Sequence, residues 1–312
     1  MRPVFGVHIM PYRNIIIASE TVLHNKNGQL VVSGQNHQRV PLEDIKCIVL
    51  ENLSCQVSIS TLQKMVANGT AVYICDEKHL PSAVLLPFFQ HSRTGSVIEG
   101  QCSLSIPTVK NAWKQIIIAK IKNQGRCLAA LGKEKEGRYL RELAKTVASG
   151  DPKNVEATAA RYYFKYLFDS GFTRGNEEDC RNHALNYGYA IMRGMTARLL
   201  TGYGFLLMKG LHHENQYNAF NLADDFMEPL RPLVDLYVAK TIKTIQEDTE
   251  LTTSLKAALL GLMNADVLSG GQNHSSSYGM ERMVQSFVRI CQKKGKALMI
   301  PELLGIDQHC YE

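Results

Sequence analysis

The sequence predicts an α+β protein of more than one domain, a small β-rich N-terminal domain followed by a larger all-α catalytic domain. Three observations carry that expectation. The chain has 312 residues, more than a single core usually serves. Up to about residue 90 its apolar residues come in short Ile- and Val-rich runs separated by turn signals. After Pro107 they recur three and four apart over much longer spans.

In chain order, RNIIIAS, QLVVSG, IKCIVLE, QVSIS and AVYICD read as strands, with NKNG, SGQNHQ and NGT as the turns between them. STLQKMVANG, before the last strand, reads as a helix. Ser60 can cap it, Leu62, Met65 and Val66 form its apolar face, and Gly69 closes it. FFQHSRTGSVIEGQCSLSI, residues 88–106, shows no sustained period and reads as a connection. The expected division is therefore a β-rich domain over 1–90, a linker over 91–106 and an all-α domain over 107–312. Its helices are VKNAWKQIIIAKIKNQGRCLAAL, RYLRELAKTVASG, VEATAARYYFKYLF, HALNYGYAIMRGMTARLLTGYGF and PLVDLYVAKTIKTIQ.

Composition narrows the function classes. No window of about 18 apolar residues offers a membrane span, and the N-terminus lacks the apolar run and small-residue cleavage site of a secretory signal. The eight cysteines form no CxxC pair, so a zinc ribbon or redox motif is disfavoured and free thiols in a reducing cytoplasm are expected. Net charge is +6. Of the 35 Lys and Arg only 8 lie in the first 100 residues, against 7 of the 29 Asp and Glu, so the basic excess belongs to the C-terminal two-thirds. That permits nucleic-acid binding without demanding it.

Two motifs mislead. LSGGQ at 268–272 spells an ATPase signature peptide, which works only opposite a phosphate-cradling loop of the GxxxxGK[ST] kind. No such loop exists here, so LSGGQ reads as a turn between helices with Gly270 and Gly271 at positive φ. HHE at 212–214 suggests a zinc protease, but that site needs histidines one helical turn apart. Adjacent side chains diverge, so at most one of His212 and His213 binds an ion.

The chemistry-bearing stretch is LHHENQYNAFNLADDFMEPLRP. Asp225 and Glu228, spaced i, i+3, lie on one helical face. Pro229 and Pro232 mark bends near Arg231. His213 precedes the acids across NQYNAFN, which reads as a loop. Glu156 sits in the first turn of a helix beginning around Asp151–Pro152, followed by small Ala157, Ala159 and Ala160. Taken singly, each residue has an ordinary role: a solvated face for the acids, a dipole partner for Glu156, a surface or core position for His213. Pattern alone reaches a candidate hard-cation site in an all-α domain, a loop histidine facing a helix with a two-acid stripe, with Glu156 as a second, separate candidate. Two carboxylates about 4 Å apart repel by roughly 4 kcal/mol at an effective dielectric near 20, so convergence of Glu156, Asp225 and Glu228 would require a counter-ion.

Four segments resemble, in order and almost end to end, the CRISPR-associated integrase family, Cas protein one. They are VPLEDIKCIVLENLSCQVSISTLQKMVANGTAVYICDEKHLPSA, NVEATAARYYFKYLF, NHALNYGYAIMRGMTARLLTGYGF and GLHHENQYNAFNLADDFMEPLRPLVD. The last, with MVQSF beyond it, is most similar to the type II branch found beside the Cas nine effector.

The resemblance implies metal ligands at Glu156, His213 and Glu228, with Asp225 as a nearby catalytic acid and His212 not required. It implies a divalent cation, Mg²⁺ or Mn²⁺, which suits oxygen and imidazole donors. It implies insertion of spacer DNA into a repeat array by 3′-hydroxyl attack on a phosphodiester, with double-stranded DNA, a second copy of the chain (through residues 1–90), Cas protein two and other type II adaptation proteins as partners. Arg161, Lys165, Arg193, Arg198 and Arg231 are candidates to hold phosphates. A stand-alone metal-dependent nuclease and an inert DNA-binding scaffold are the alternatives.

Overall fold

The computed structural model describes residues 13–34, 37–87, 94–168, 171–242 and 251–310. The chain divides into two compact units, Met1–Pro87 and Phe88–Glu312.

The first unit contains β1 (Arg13–Ile17), β2 (Val22–Lys26), β3 (Gln29–Ser33), β4 (Gln38–Pro41), β5 (Ile45–Leu50), β6 (Gln56–Val57), α1 (Ile59–Ala67), β7 (Ala71–Cys75) and β8 (Pro81–Leu85). One sheet runs β1-β5-β7-β8 and the other β4-β3-β2-β6. All six residues of β5 are buried, which is why IKCIVL, apolar apart from Lys46, shows no alternation. Asn27 and Gly28, at φ 51° and 76°, turn β2 back onto β3, as the NG pair signals. QVSIS is only briefly a strand: Ser58, not Ser60, caps α1 by accepting from the Thr61 N–H. The strands β2, β4 and β8 were not expected. Their runs are short or mixed with polar residues, so pairing rather than local pattern makes them strands.

The second unit is mainly helical: α2 (Thr94–Cys102), α3 (Ile106–Ala130), α4 (Glu134–Ala144), α5 (Val155–Leu167), α6 (Cys180–Gly202), α7 (Asn221–Met227), α8 (Arg231–Thr241), α9 (Thr253–Gly261) and α10 (Ser276–Cys291). It is not all-α. The strands β9 (Ala265–Ser269), β10 (Gln272–Ser275) and β11 (Glu302–Gln308) form a sheet ordered β10-β9-β11. LSGGQ is therefore a turn between strands rather than helices, with Gly270 and Gly271 at φ 63° and 82° joining β9 to β10. The span 91–106 is likewise not an irregular linker, since α2 lies within it. Val97 and Gln101 are its buried contacts, and the Gln101 side chain donates to the Leu206 and Lys209 carbonyls. Two such contacts leave no amphipathic stripe to read. The expected helix from Pro232 is described as far as Ile242; its continuation from 243 lies outside the described residues.

Two long helices position the chemistry. Most of α6 is buried on every side, so it forms the centre of the unit. α3 buries Trp113, Ile116, Ile117, Ile121 and Leu128. It meets α4 backbone to backbone: a Cβ on Gly125 would stand 2.7 Å from the Gly137 carbonyl oxygen. One turn beyond Lys120, buried Asn123 donates to the Pro229 and Pro301 carbonyls at 2.7 and 3.1 Å. α3 thereby fixes the short 3-10 turn Glu228–Leu230 that joins α7 to α8.

Candidate active site

Glu156 owes its place to an elaborate cap. The helix begins at Val155, later than Asp151–Pro152, because residues 151–154 fold under it. Asp151 and Asn154 adopt left-handed φ of 47° and 50°, tolerated best by Asn and Asp. The Asp151 carboxylate accepts from the Val155 and Glu156 N–H groups, both at 2.9 Å, and Asn154 from that of Ala157. These satisfy donors a helix start leaves orphaned.

Glu228 opens the 3-10 turn that Pro229 continues, and is buried. Arg231 donates to its Oε1 at 2.9 Å. Its Oε2 lies 2.6 Å from the Lys120 Nζ, and the same Nζ stands 2.6 Å from Glu156 Oε1. Lys120 on α3 thus bridges acids from two other elements. Burial opposes the charge of Glu228, yet Lys120 and Arg231 outweigh it and hold the carboxyl below its ordinary value. Burial likewise opposes the Lys120 charge, and Glu228 with Glu156 overcomes it, raising the ammonium's pKa.

Asp225 plays a different part. Fully buried, it accepts from the backbone N–H groups of Leu211, His212 and His213 at 2.5, 3.0 and 3.3 Å, and pairs with His213 Nδ1 at 2.6 Å. The loop can wrap so closely because residue 210 is glycine: a Cβ there would sit 2.4 Å from the His213 carbonyl and 2.8 Å from Asp225 Oδ2. The hydrogen bond with Asp225 raises the His213 pKa against the opposing effect of burial. The neighbouring histidines do diverge. His212 stacks flat on Trp113, centroids 4.3 Å apart, while His213 stands edge-on to the same ring at 6.1 Å.

The i, i+3 spacing predicts Asp225 and Glu228 on one helical face. The change from α-helix to 3-10 turn at Glu228 sends them to different partners. Glu156 and Glu228 converge on Lys120, and His213 turns to Asp225. Among the described residues no three His, Cys, Asp or Glu side chains close on one point. Of the candidate phosphate holders, Arg193 is engaged by Asp224 at 2.6 Å and Arg231 by Glu228. Arg161 and Lys165 are exposed.

Lys120 was missed, though a signal existed. It falls among Trp113, Ile116, Ile117 and Ile121, in a buried apolar stripe at helical spacing, where a lysine needs an acid. Also missed was Asp235, fully enclosed and accepting from the Tyr163 hydroxyl at 2.9 Å and from that of Tyr189. The Arg231 guanidinium stacks over the Tyr189 ring, 4.6 Å from its centroid. Asp235 thus buttresses the arginine that holds Glu228. Burial pushes its carboxyl from 3.8 up to about 6, against the lowering effect of its two tyrosine hydrogen bonds. The folded chain then binds this proton more tightly than the unfolded chain. The residue's contribution to stability is full below pH 3.8 and is lost as pH rises through about 6. Denaturant unfolding across that range should show a falling component that Asp235→Asn removes; an unchanged slope in the variant would contradict the assignment.

In this mainly helical unit two acids from separate elements, Glu156 and Glu228, thus close on the Lys120 ammonium, and Asp225 orients His213. The profile of the family CRISPR associated protein Cas1 matches residues 15–261, and the chain belongs to that family. It is 37% identical over 306 residues to the CRISPR-associated endonuclease Cas1 of Neisseria meningitidis serogroup C (strain 8013), covering 97% of this chain and 100% of that one. In solved structures, a casposase bound to its integration product matches with a TM-score of 0.76 at 19% identity, over 96% of both chains. A Cas6-RT-Cas1–Cas2 complex matches at 0.69 and 18%, over 96% of this chain and 37% of that longer one. At those identities the two structures show a shared fold.

Proposed function

We propose that this chain is an endonuclease and integrase of CRISPR adaptation, and that its phosphodiester chemistry runs at the Glu156–Glu228 pair with a divalent cation, Mg²⁺ or Mn²⁺. The observation that carries the reading is the pair itself, two acids held against one cationic group in a chain of this family. The donors fit such an ion. Glu228 is buried, and its Oε2 is met at 2.6 Å by the Lys120 ammonium, a cation standing at the carboxylate oxygens that would hold the ion. Carboxylate oxygens with one imidazole suit a hard cation, and with Nδ1 on Asp225 the second ring nitrogen of His213 is the one left to bind it.

When bound, the ion polarises a phosphoryl oxygen and steadies the charge of attacking and leaving oxygens. The protein supplies position. Asp225 fixes the His213 ring, Arg231 fixes Glu228, and the Asp151–Asn154 cap fixes Glu156. A DNA 3′-hydroxyl attacking phosphorus gives joining; water in its place gives cutting. A short duplex with 3′-hydroxyl ends, offered with Mn²⁺ and supercoiled plasmid, should become joined to the plasmid, and 3′-blocked duplex should not. Plasmid nicking with no joined product from either would reduce the activity to that of a nuclease. DNA binding without cutting or joining would leave only the scaffold.

Double-stranded DNA, a second copy of the chain and Cas protein two are the partners this reading needs. The likeness to a solved complex named for Cas1 and Cas2 supports the last. Inserting a segment takes two attacks, which a two-fold pair of chains can hold at fixed separation. In the first unit Val22, Leu53 and Ile59 are 45, 61 and 79% exposed, large apolar side chains that a second copy would cover. The chain should sediment as a dimer and the double variant Leu53→Asp, Ile59→Asp as a monomer. A variant that stays dimeric would move the contact elsewhere. No helix among the described residues is long and apolar enough to cross a membrane.

A further inference from the structure

We propose that Lys120 is an internal competitor for the divalent cation: its ammonium holds Glu156 and Glu228 together, and an ion binds only by expelling it. This rests on the metal reading above. The first ground is geometric. Nζ lies 2.6 Å from one oxygen of each acid. An ion bound to those same two oxygens, at about 2.0–2.1 Å for Mg²⁺, would overlap it. The second ground is charge. The two carboxylates already face two cations, Lys120 and Arg231. Adding a divalent ion without releasing one would set four positive charges against two negative ones in a largely buried site.

Lys120 is the group able to leave. Arg231 is pinned between Glu228 and the Tyr189 ring, and Tyr189 is held by Asp235. A guanidinium also stays charged under all conditions that matter here. Lys120 carries a point charge on a flexible four-carbon stem, and the partner it shares with solvent is Glu156, 25% exposed against 5% for Glu228. The ammonium can therefore swing outward past Glu156 without opening the core around Glu228. Lys120 is on this account a positioning residue. It keeps two like charges together in the ion-free chain and sets the threshold concentration at which the ion takes over.

The test is Mn²⁺ affinity of the full-length chain without DNA, read by electron paramagnetic resonance, for wild type, Lys120→Met, Lys120→Arg and Glu228→Gln. Glu228→Gln should lose the site. Lys120→Met should bind Mn²⁺ about tenfold or more tightly than wild type, the effect of removing a modest competing attraction. Lys120→Arg, which keeps the charge, should stay near or below wild type. If Glu228→Gln loses the site while Lys120→Met binds no more tightly than wild type, Lys120 is only a structural ion-pair partner and the proposal is overturned with the metal reading intact. If no chain shows a Glu228-dependent Mn²⁺ site, the metal reading falls and this proposal with it. Should Lys120→Met fold too poorly for titration, thermal unfolding replaces it. Competition predicts a larger Mn²⁺-induced rise in melting temperature for Lys120→Met than for wild type, and equal or smaller shifts overturn it.

Discussion

Glu228→Gln is expected to abolish strand transfer while leaving the fold in place. The substitution keeps volume and shape and removes one charge. The amide oxygen can still accept from Arg231, so the 3-10 turn and its Asn123 contact survive. Lost is the anionic oxygen facing Lys120, the one that would face an ion. Partners that merely orient a metal ligand are worth 10–100-fold, so loss of the ligand itself should exceed about a hundredfold in strand transfer. Stability should fall by about 1–3 kcal/mol, the cost of leaving a buried charged donor imperfectly paired. Circular dichroism, denaturant unfolding and a plasmid integration assay with Mn²⁺ measure both effects. Near wild-type joining by this variant would remove Glu228 from the centre of the mechanism.

The second large effect is expected at Asp225, for a different reason. Its two oxygens accept from three backbone N–H groups and face the His213 ring. An asparagine has one oxygen to offer, and its amide donors would point at donors on the other side. Asp225→Asn should therefore cost about 3–5 kcal/mol, the range for leaving one side of a buried charged arrangement unmatched. It should also release His213 and lower joining activity about 10–100-fold. Glu228→Gln should keep the loop ordered and lose chemistry, whereas Asp225→Asn should lose order first. Hydrogen exchange at the Leu211–His213 amides distinguishes them, fast in Asp225→Asn and slow in Glu228→Gln. Protected amides with normal activity in Asp225→Asn would contradict the anchoring role.

The sequence shows the frame of this molecule more plainly than its centre. The change from strand runs to helical stripes is visible because residues such as those of β5 and α3 are apolar in the period of their own element. The sheet β10-β9-β11 is not visible, since QNHS and ELLGIDQ carry polar and glycine residues whose strand character comes from pairing with β9. Glu156, His213, Glu228 and Asp225 can be singled out from the sequence, yet spacing does not assign their partners. The divergence of Asp225 and Glu228 depends on a local change of helix type, and the anchoring of Asp225 on backbone amides that no side-chain pattern records. Lys120 was legible in principle. An acid cluster raises the question of its counter-ion, and a lysine in a buried stripe raises the question of its acid; here each answers the other across 36 residues.

Glu156 and Glu228 are expected to hold a divalent cation between them. Anomalous diffraction from crystals of the full-length chain grown with Mn²⁺ tests it most directly. One peak is expected within ligand distance, about 2 Å, of an oxygen from each acid, with His213 as a further ligand and the Lys120 ammonium displaced from between them. A structure at saturating Mn²⁺ with Lys120 still bridging the two acids and no peak beside them would contradict it.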